Sequence, residues 1–169
     1  EQHGATKEPS CRNIDDALLG GQNSEVGLYN VHRPATPDSL SALGRKASEN
    51  FPEDKLAGFT SDFGGAYRQV PSSPVQAEEF GVVTWDAVAH KLIICLAVAQ
   101  LFGSRSAPLN FSRFPNWCAF VCSRLLLIAF LQCIDDLICI ERRTSADSAR
   151  SAWLLFADLC GWDIPLKKS

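Results

Sequence analysis

Two adjacent carboxylates, Asp135 and Asp136, stand between two short apolar runs, 128–134 and 137–140. Each run has the length and composition of a buried strand. Charges inside so apolar a stretch are tolerable at the exposed turn of a hairpin, where Asp bonds its own backbone and adopts unusual dihedrals. The pattern predicts strand, Asp-Asp turn, strand, with both carboxylates at the edge of a core. Like charges this close need a cation or a shared proton. Hard oxygen ligands make Mg²⁺ or Mn²⁺ the natural cation. Taken alone, the pair reads as a solvated acidic turn.

The 169 residues suffice for one domain with a real core, with room for a small subdomain. The chain has no methionine, which reads as a piece of a longer open reading frame or a processed product. The polar stretch 1–12 is no secretory signal. The most apolar run, 125–134, is too short to span a bilayer. Seven cysteines form an odd set without a Cys-x-x-Cys pair, mostly in apolar surroundings. That suits small buried hydrophobes in a reducing intracellular compartment. His3, His32 and His90 give no zinc spacing. Residues 1–84 carry seven Lys/Arg against twelve Asp/Glu, and residues 85–169 carry nine against seven. Bulk charge therefore does not advertise nucleic-acid binding.

Along the chain, 1–39 reads as loop and short strand, including 26–31. A helix over 39–50 follows, ended by Phe51-Pro52. A strand over 56–62 runs into Gly64-Gly65 and a short helical turn through Gln69, broken by Pro71 and Pro74. Segments 80–85 and 91–98 form a hairpin. Ser106 is the expected N-cap of a helix over 106–127, with a kink or break at Pro115. An amphipathic helix over 144–160 ends at Gly161, and a last short strand starts at Trp162.

A third acid on a strand end would turn the pair into a constellation, and Asp62 supplies it. It sits where a strand gives way to Phe63-Gly64-Gly65-Ala66, whose unobstructed amides could cradle a triphosphate. Tyr67, five residues on, could lie beside a nucleotide's sugar. Taken alone, this stretch reads as a strand-to-helix turn.

The order of these pieces resembles the palm of reverse transcriptases of the LTR-retrotransposon and retroviral kind. Asp62, Tyr67 and Gln69-Val70-Pro71 match motif A. Leu101-Phe102-Gly103-Ser104-Arg105-Ser106-Ala107-Pro108-Leu109-Asn110-Phe111 matches motif B, with Leu101 for the usual Pro. Cys133-Ile134-Asp135-Asp136 matches motif C, with Cys133 for the usual aromatic. Gly161-Trp162 through Lys167-Lys168 looks like motif D. Arg12 followed by Asp16 resembles the fingers element, with Lys7 as a loose companion.

The resemblance implies an α+β fold: a polymerase palm with an antiparallel sheet backed by two helices, plus a partial fingers subdomain. It implies partial fingers over 1–55, palm over 56–79, a fingers-side hairpin over 80–100 and palm over 101–169, with thumb and RNase H missing. It further implies template-directed nucleotidyl transfer, RNA-directed DNA synthesis, with two Mg²⁺ or Mn²⁺ ions held by Asp62, Asp135 and Asp136. Arg12, Phe63, Gly64, Gly65, Ala66, Tyr67, Phe102, Gly103 and Lys167 would bind nucleotide, with Tyr67 as a gate against a 2′-hydroxyl. Implied partners are an RNA or DNA template with primer and deoxynucleoside triphosphates, with no membrane. Two alternatives stay open: an inactive retroelement remnant keeping the palm fold, and an RNA-templated RNA polymerase palm, against which Tyr67 argues. A phosphoacceptor domain built on Asp15-Asp16 and Asp62 fails, because no Lys lies between Lys91 and Lys167.

Overall fold

The computed structural model describes residues 21–25, 27 and 33–165. Its order is α1 (Gln22–Glu25), α2 (Pro37–Asn50), β1 (Leu56–Asp62), a 3₁₀ turn Ala66–Gln69, α3 (Pro74–Glu79), β2 (Gly81–Asp86), β3 (Lys91–Leu96), α4 (Ala107–Val121), a π turn Cys122–Leu126, β4 (Phe130–Cys133), β5 (Asp136–Arg142) and α5 (Ala146–Leu159). The fold is α+β, as expected. Among the described residues, β1, β5 and β4 form one antiparallel sheet in that spatial order, and β2 pairs with β3 in a second.

β1 and β5 pair without a bulge from Leu56 opposite Arg142 to Asp62 opposite Asp136. Side chains alternate between the faces of a strand. One face of the large sheet is packed: Ser61, Leu137 and Cys139 are fully buried there, beneath α5. Trp153 of α5 donates its indole N–H to the Ser61 hydroxyl at 2.8 Å and meets the Phe130 ring at 5.1 Å. The other face is open at one end, where Thr60 and Asp136 are exposed. At its far end α2 covers it, with Gly44 close against Ile140.

The helices start where local chemistry tells them to. Thr36 caps α2 reciprocally with Ser39, and Pro37 takes the first turn. Along α5, Ala149, Trp153 and Ala157 are buried, a four-residue period facing the sheet. Gly161, at φ +79°, ends it in the left-handed conformation that glycine adopts freely. Phe63 sits at the centre of the core, with Phe111, Trp162 and Trp153 at 5.4, 5.5 and 6.2 Å. Burial pushes the thiols of Cys118 and Cys139 up to about 12 and that of Cys122 to about 11. These three behave as the expected buried hydrophobes, whereas Cys95 and Cys160 are exposed.

Several expectations need correction. The carboxylate hairpin turns at Ile134-Asp135, one residue earlier than expected, so Asp136 already belongs to β5. No strand forms from Trp162 to Pro165, because the Gln69 side chain takes the Asp163 N–H and, with the Gly64 amide, the Asp163 carbonyl. Pro74 opens a helix rather than breaking one: Ser73 caps α3 reciprocally with Gln76. Ser106 is helical in φ and ψ and makes no capping bond; its hydroxyl pairs with that of Ser104 at 3.1 Å. α4 runs through the fully buried Pro115 without ending. The irregularity comes later, in the π turn closed by Leu127 at φ +57°. The expected strand over 26–31 lies outside the described residues apart from Gly27. No described helix is long and apolar enough to cross a membrane.

Replacing Trp153 by Phe is expected to cost about 2–3 kcal/mol, by stranding the buried Ser61 hydroxyl and shrinking the core contact. Ser61→Ala in that background should recover part of the loss. Urea denaturation measures both, and an unchanged midpoint for Trp153→Phe would contradict the role given to this bond.

Candidate active site

Asp62 is the last residue of β1, and its position follows from what comes next. Phe63 is nearly fully buried, so its ring nails the strand end to the core and leaves Asp62 at the margin. In the β1–β5 register Asp62 lies directly opposite Asp136. Directly opposed residues of an antiparallel pair share a face, with Cβ atoms about 4.5–5.5 Å apart. Two acids 74 positions apart (136 minus 62) therefore stand side by side on the open face.

Asp135 lies in the adjoining turn. Cys133 pairs with Asp136, so Ile134 and Asp135 make a two-residue hairpin loop. Ile134 has φ +59°. Two-residue loops with positive φ at the first central position match the twist of the flanking strands, and glycine normally fills that position. A β-branched residue there stores about 1–3 kcal/mol of strain. The turn is braced by Gln132, which is buried and donates its side-chain N–H to the Ile134 carbonyl at 2.8 Å. Gln132 Oε1 is buried with no hydrogen-bond partner among the described residues. From the outside, the Ala35 N–H bonds the Gln132 carbonyl at 2.7 Å, which covers the free edge of β4.

Beside the acids stands an aromatic wall. The Tyr67 and Phe102 rings lie 5.0 Å apart, and Phe111 backs Tyr67 at 5.5 Å. Burial, and secondarily the negative charge of Asp135, raise the Tyr67 phenol above its ordinary value. The Arg68 guanidinium lies 5.7 Å from the Phe102 ring centroid, within cation–π range. Gly103 has φ +94°, and its carbonyl accepts from the Asn23 side chain at 3.0 Å. Asn23 also accepts the Arg105 N–H at 2.7 Å. One asparagine thus clamps both arms of this turn.

The structure brings Asp62, Asp135, Asp136, Tyr67 and Phe102 to one end of the sheet. Phe63 and Ala66 are core residues rather than exposed binding groups. The Gly64 amide is taken by the Asp163 carbonyl at 2.8 Å, so the expected cradle loses one donor. A Cβ on Gly64 would collide with the Asp163 carboxylate, which explains the glycine by this contact. Gly65 is exposed at φ +69°. Arg12 and Lys167 lie outside the described residues. Sequence reasoning missed Asn23, which carries no local signal. It also missed Gln69 as a clamp, although the Gln stood in plain view before Pro71.

The donor chemistry suits a hard dication: the acids offer only oxygen ligands and two share a face. Among the described residues, however, no three His, Cys, Asp or Glu groups are gathered so as to hold a metal ion. A groove of about 820 Å³ runs along β1 and is lined by Thr60 and Ile138, stopping one pair short of the acids. No protein-family model matches the chain, and no curated protein matches it.

Because Asp135 acts on Tyr67, Asp135→Asn should lower the Tyr67 phenol toward its usual value. A raised phenol contributes stability that is present below the unfolded value near 10 and is lost as pH rises through the folded one. Absorbance titration of phenolate in Tyr29→Phe and Tyr29→Phe/Asp135→Asn proteins reads the shift. Superimposable curves would remove Asp135 from the neighbourhood of Tyr67.

Proposed function

We propose that this chain is the palm of an RNA-directed DNA polymerase of the retroelement kind, with 80–100 and 1–55 contributing part of the fingers. One observation carries the reading: the cross-strand pair Asp62–Asp136, with Asp135 in the adjoining strained turn. Acids from motifs A and C meet at one sheet end, and the motif B residue Phe102 meets Tyr67 there.

Asp62, Asp135 and Asp136 would hold two Mg²⁺ or Mn²⁺ ions. When bound, such ions position the attacking 3′-oxygen and the departing pyrophosphate and neutralise charge that develops between them. The chain's own part is placement. β1 and β5 fix two carboxylates on a rigid pair of strands, a more accurate support than a loop. The Tyr67 ring, between Phe102 and Phe111, would offer a fixed surface for a deoxyribose and act as the gate against a 2′-hydroxyl. Phe102 offers its face to a base, where stacking contributes about 1–3 kcal/mol. Arg12 and Lys167 would meet the triphosphate. An RNA or DNA template with primer, and deoxynucleoside triphosphates, are the proposed partners.

The inactive-remnant reading is favoured by one observation: the three carboxylates are not gathered into a metal cluster. Primer extension on an RNA template with Mg²⁺ separates the two. The polymerase reading expects extension by the wild type and a loss of more than about 100-fold in Asp62→Asn or Asp135→Asn. Tyr67→Ala should retain extension and raise ribonucleotide use. Salt-sensitive primer–template binding is expected as well, since phosphate contacts release counterions. A wild type that neither extends nor binds in a salt-dependent way favours the remnant.

A further inference from the structure

The register of the small sheet sorts its side chains with unusual asymmetry. Val83 opposes Ile94, Trp85 opposes Leu92 and Gly81 opposes Leu96; opposed residues share a face. One face therefore carries Val83, Trp85, Leu92, Ile94 and Leu96, with no charged group among them. The other carries Val82, Thr84, Asp86, Lys91, Ile93 and Cys95. All five apolar side chains are between 55% and 73% exposed. A two-stranded sheet is at best marginally stable in water on its own, and sheets bury an apolar face against a second layer.

We propose that this face is a self-association surface, closed by the same face of a second copy of the chain. Two arguments select that occupant. First, the five side chains expose on the order of 600 Å² per copy, the upper limit of apolar patches that monomers leave uncovered. Pairing two such faces buries on the order of 1,200 Å², which reaches the range of specific interfaces. Second, the face is uncharged, so stacking it on itself brings no like charges together, although the chain carries a net charge of −3. A two-fold axis over the central Val83–Ile94 pair lets each copy's Trp85 pack on its partner's aliphatic side chains. This is an isologous contact of sheet on sheet at about 10 Å spacing. The proposal stands independently of the polymerase reading, because the hairpin shares no residue with the carboxylate site.

Sedimentation velocity of the full chain over about 1–300 µM tests it, a range bracketing the micromolar affinities that interfaces of this size can have. A monomer–dimer equilibrium is expected. Ile94→Asp, which buries a charge at the centre of the contact, should weaken it more than about tenfold. Thr84→Asp, on the opposite face, should leave it unchanged. Hydrogen exchange on the wild type gives a second readout that needs no variant: amides in 81–96 should become more protected as concentration rises. A wild type monomeric at the highest concentration overturns the proposal, as does a dimer indifferent to Ile94→Asp. Protection of 81–96 at every concentration in a monomer would also overturn it, pointing to cover from within the chain, such as residues 1–20.

Discussion

Everything at the carboxylate end of the molecule depends on the register of β1 against β5. Seven consecutive pairs run from Leu56–Arg142 to Asp62–Asp136. Because side chains alternate, a slip of one residue would send Asp62 into the core and turn Ser61 outward. Two contacts forbid the slip. Ser61 is fully buried and accepts the Trp153 indole N–H, a place that a slip would fill with the bulkier Thr60 or the charged Asp62. Phe63 immediately after the strand is locked among three aromatic rings. Phe63 and Ser61, neither of them acidic, thus decide which way Asp62 faces.

The elements with strong local signals were legible in the sequence. The apolar runs around Asp135-Asp136, the amphipathic pattern over 144–160 and the glycine at 161 led to the hairpin, the helix and its end that the structure has, although Leu159, expected to face inward, is exposed and Ala157 is buried instead. The hairpin turn was misplaced by one residue because Asp135-Asp136 is better turn chemistry than Ile134-Asp135. Cross-strand pairing with β1 overrode that preference and drew Asp136 into the ladder. The missing last strand has a similar cause. The stretch from Trp162 is apolar enough to pair, but the Gln69 carboxamide, 94 residues away, takes both backbone groups of Asp163. Long-range side-chain capture of this kind leaves no mark in a local pattern. Pro74 was misread for a different reason: proline breaks a helix from inside but opens one at its first turn, and only the Ser73–Gln76 capping pair distinguishes the cases. Within the site, the three acids and Tyr67 could be nominated from residue type and spacing. The Asn23 clamp on the Gly103 turn could not, since nothing near Asn23 announces it.

The two sheets are held by different physics. In the large one, burial is concentrated on one face, at Ser61, Gln132, Leu137 and Cys139, so its stability comes from packing against α5 and α4. In the small one, hydrogen bonds between β2 and β3 are made while the apolar face stays wet. Net hydrogen-bond gains of about 1 kcal/mol each cannot by themselves offset the ordering of the backbone. The hairpin is tied at its base by the Ala97 N–H bonding the Phe80 carbonyl. A second layer over Val83, Trp85, Leu92, Ile94 and Leu96 would add the hydrophobic term that is missing.

Three local costs coincide at the carboxylate end of the large sheet. Like charges face each other across strands, an arrangement that ordinarily destabilises a ladder. A β-branched residue holds a positive φ next to them, and a buried amide oxygen behind it has no partner among the described residues. The charge opposition and the positive φ could each be relieved by one substitution, at Asp136 or Ile134, outside the core. Sequences shaped only by stability lose such features, and those that keep several at one spot do so where the local rule yields to a chemical task. Under the polymerase reading proposed above, a cation drawn between Asp62 and Asp136 would turn their mutual repulsion into attraction. The strained turn would then serve to hold Asp135 within reach of the same charge.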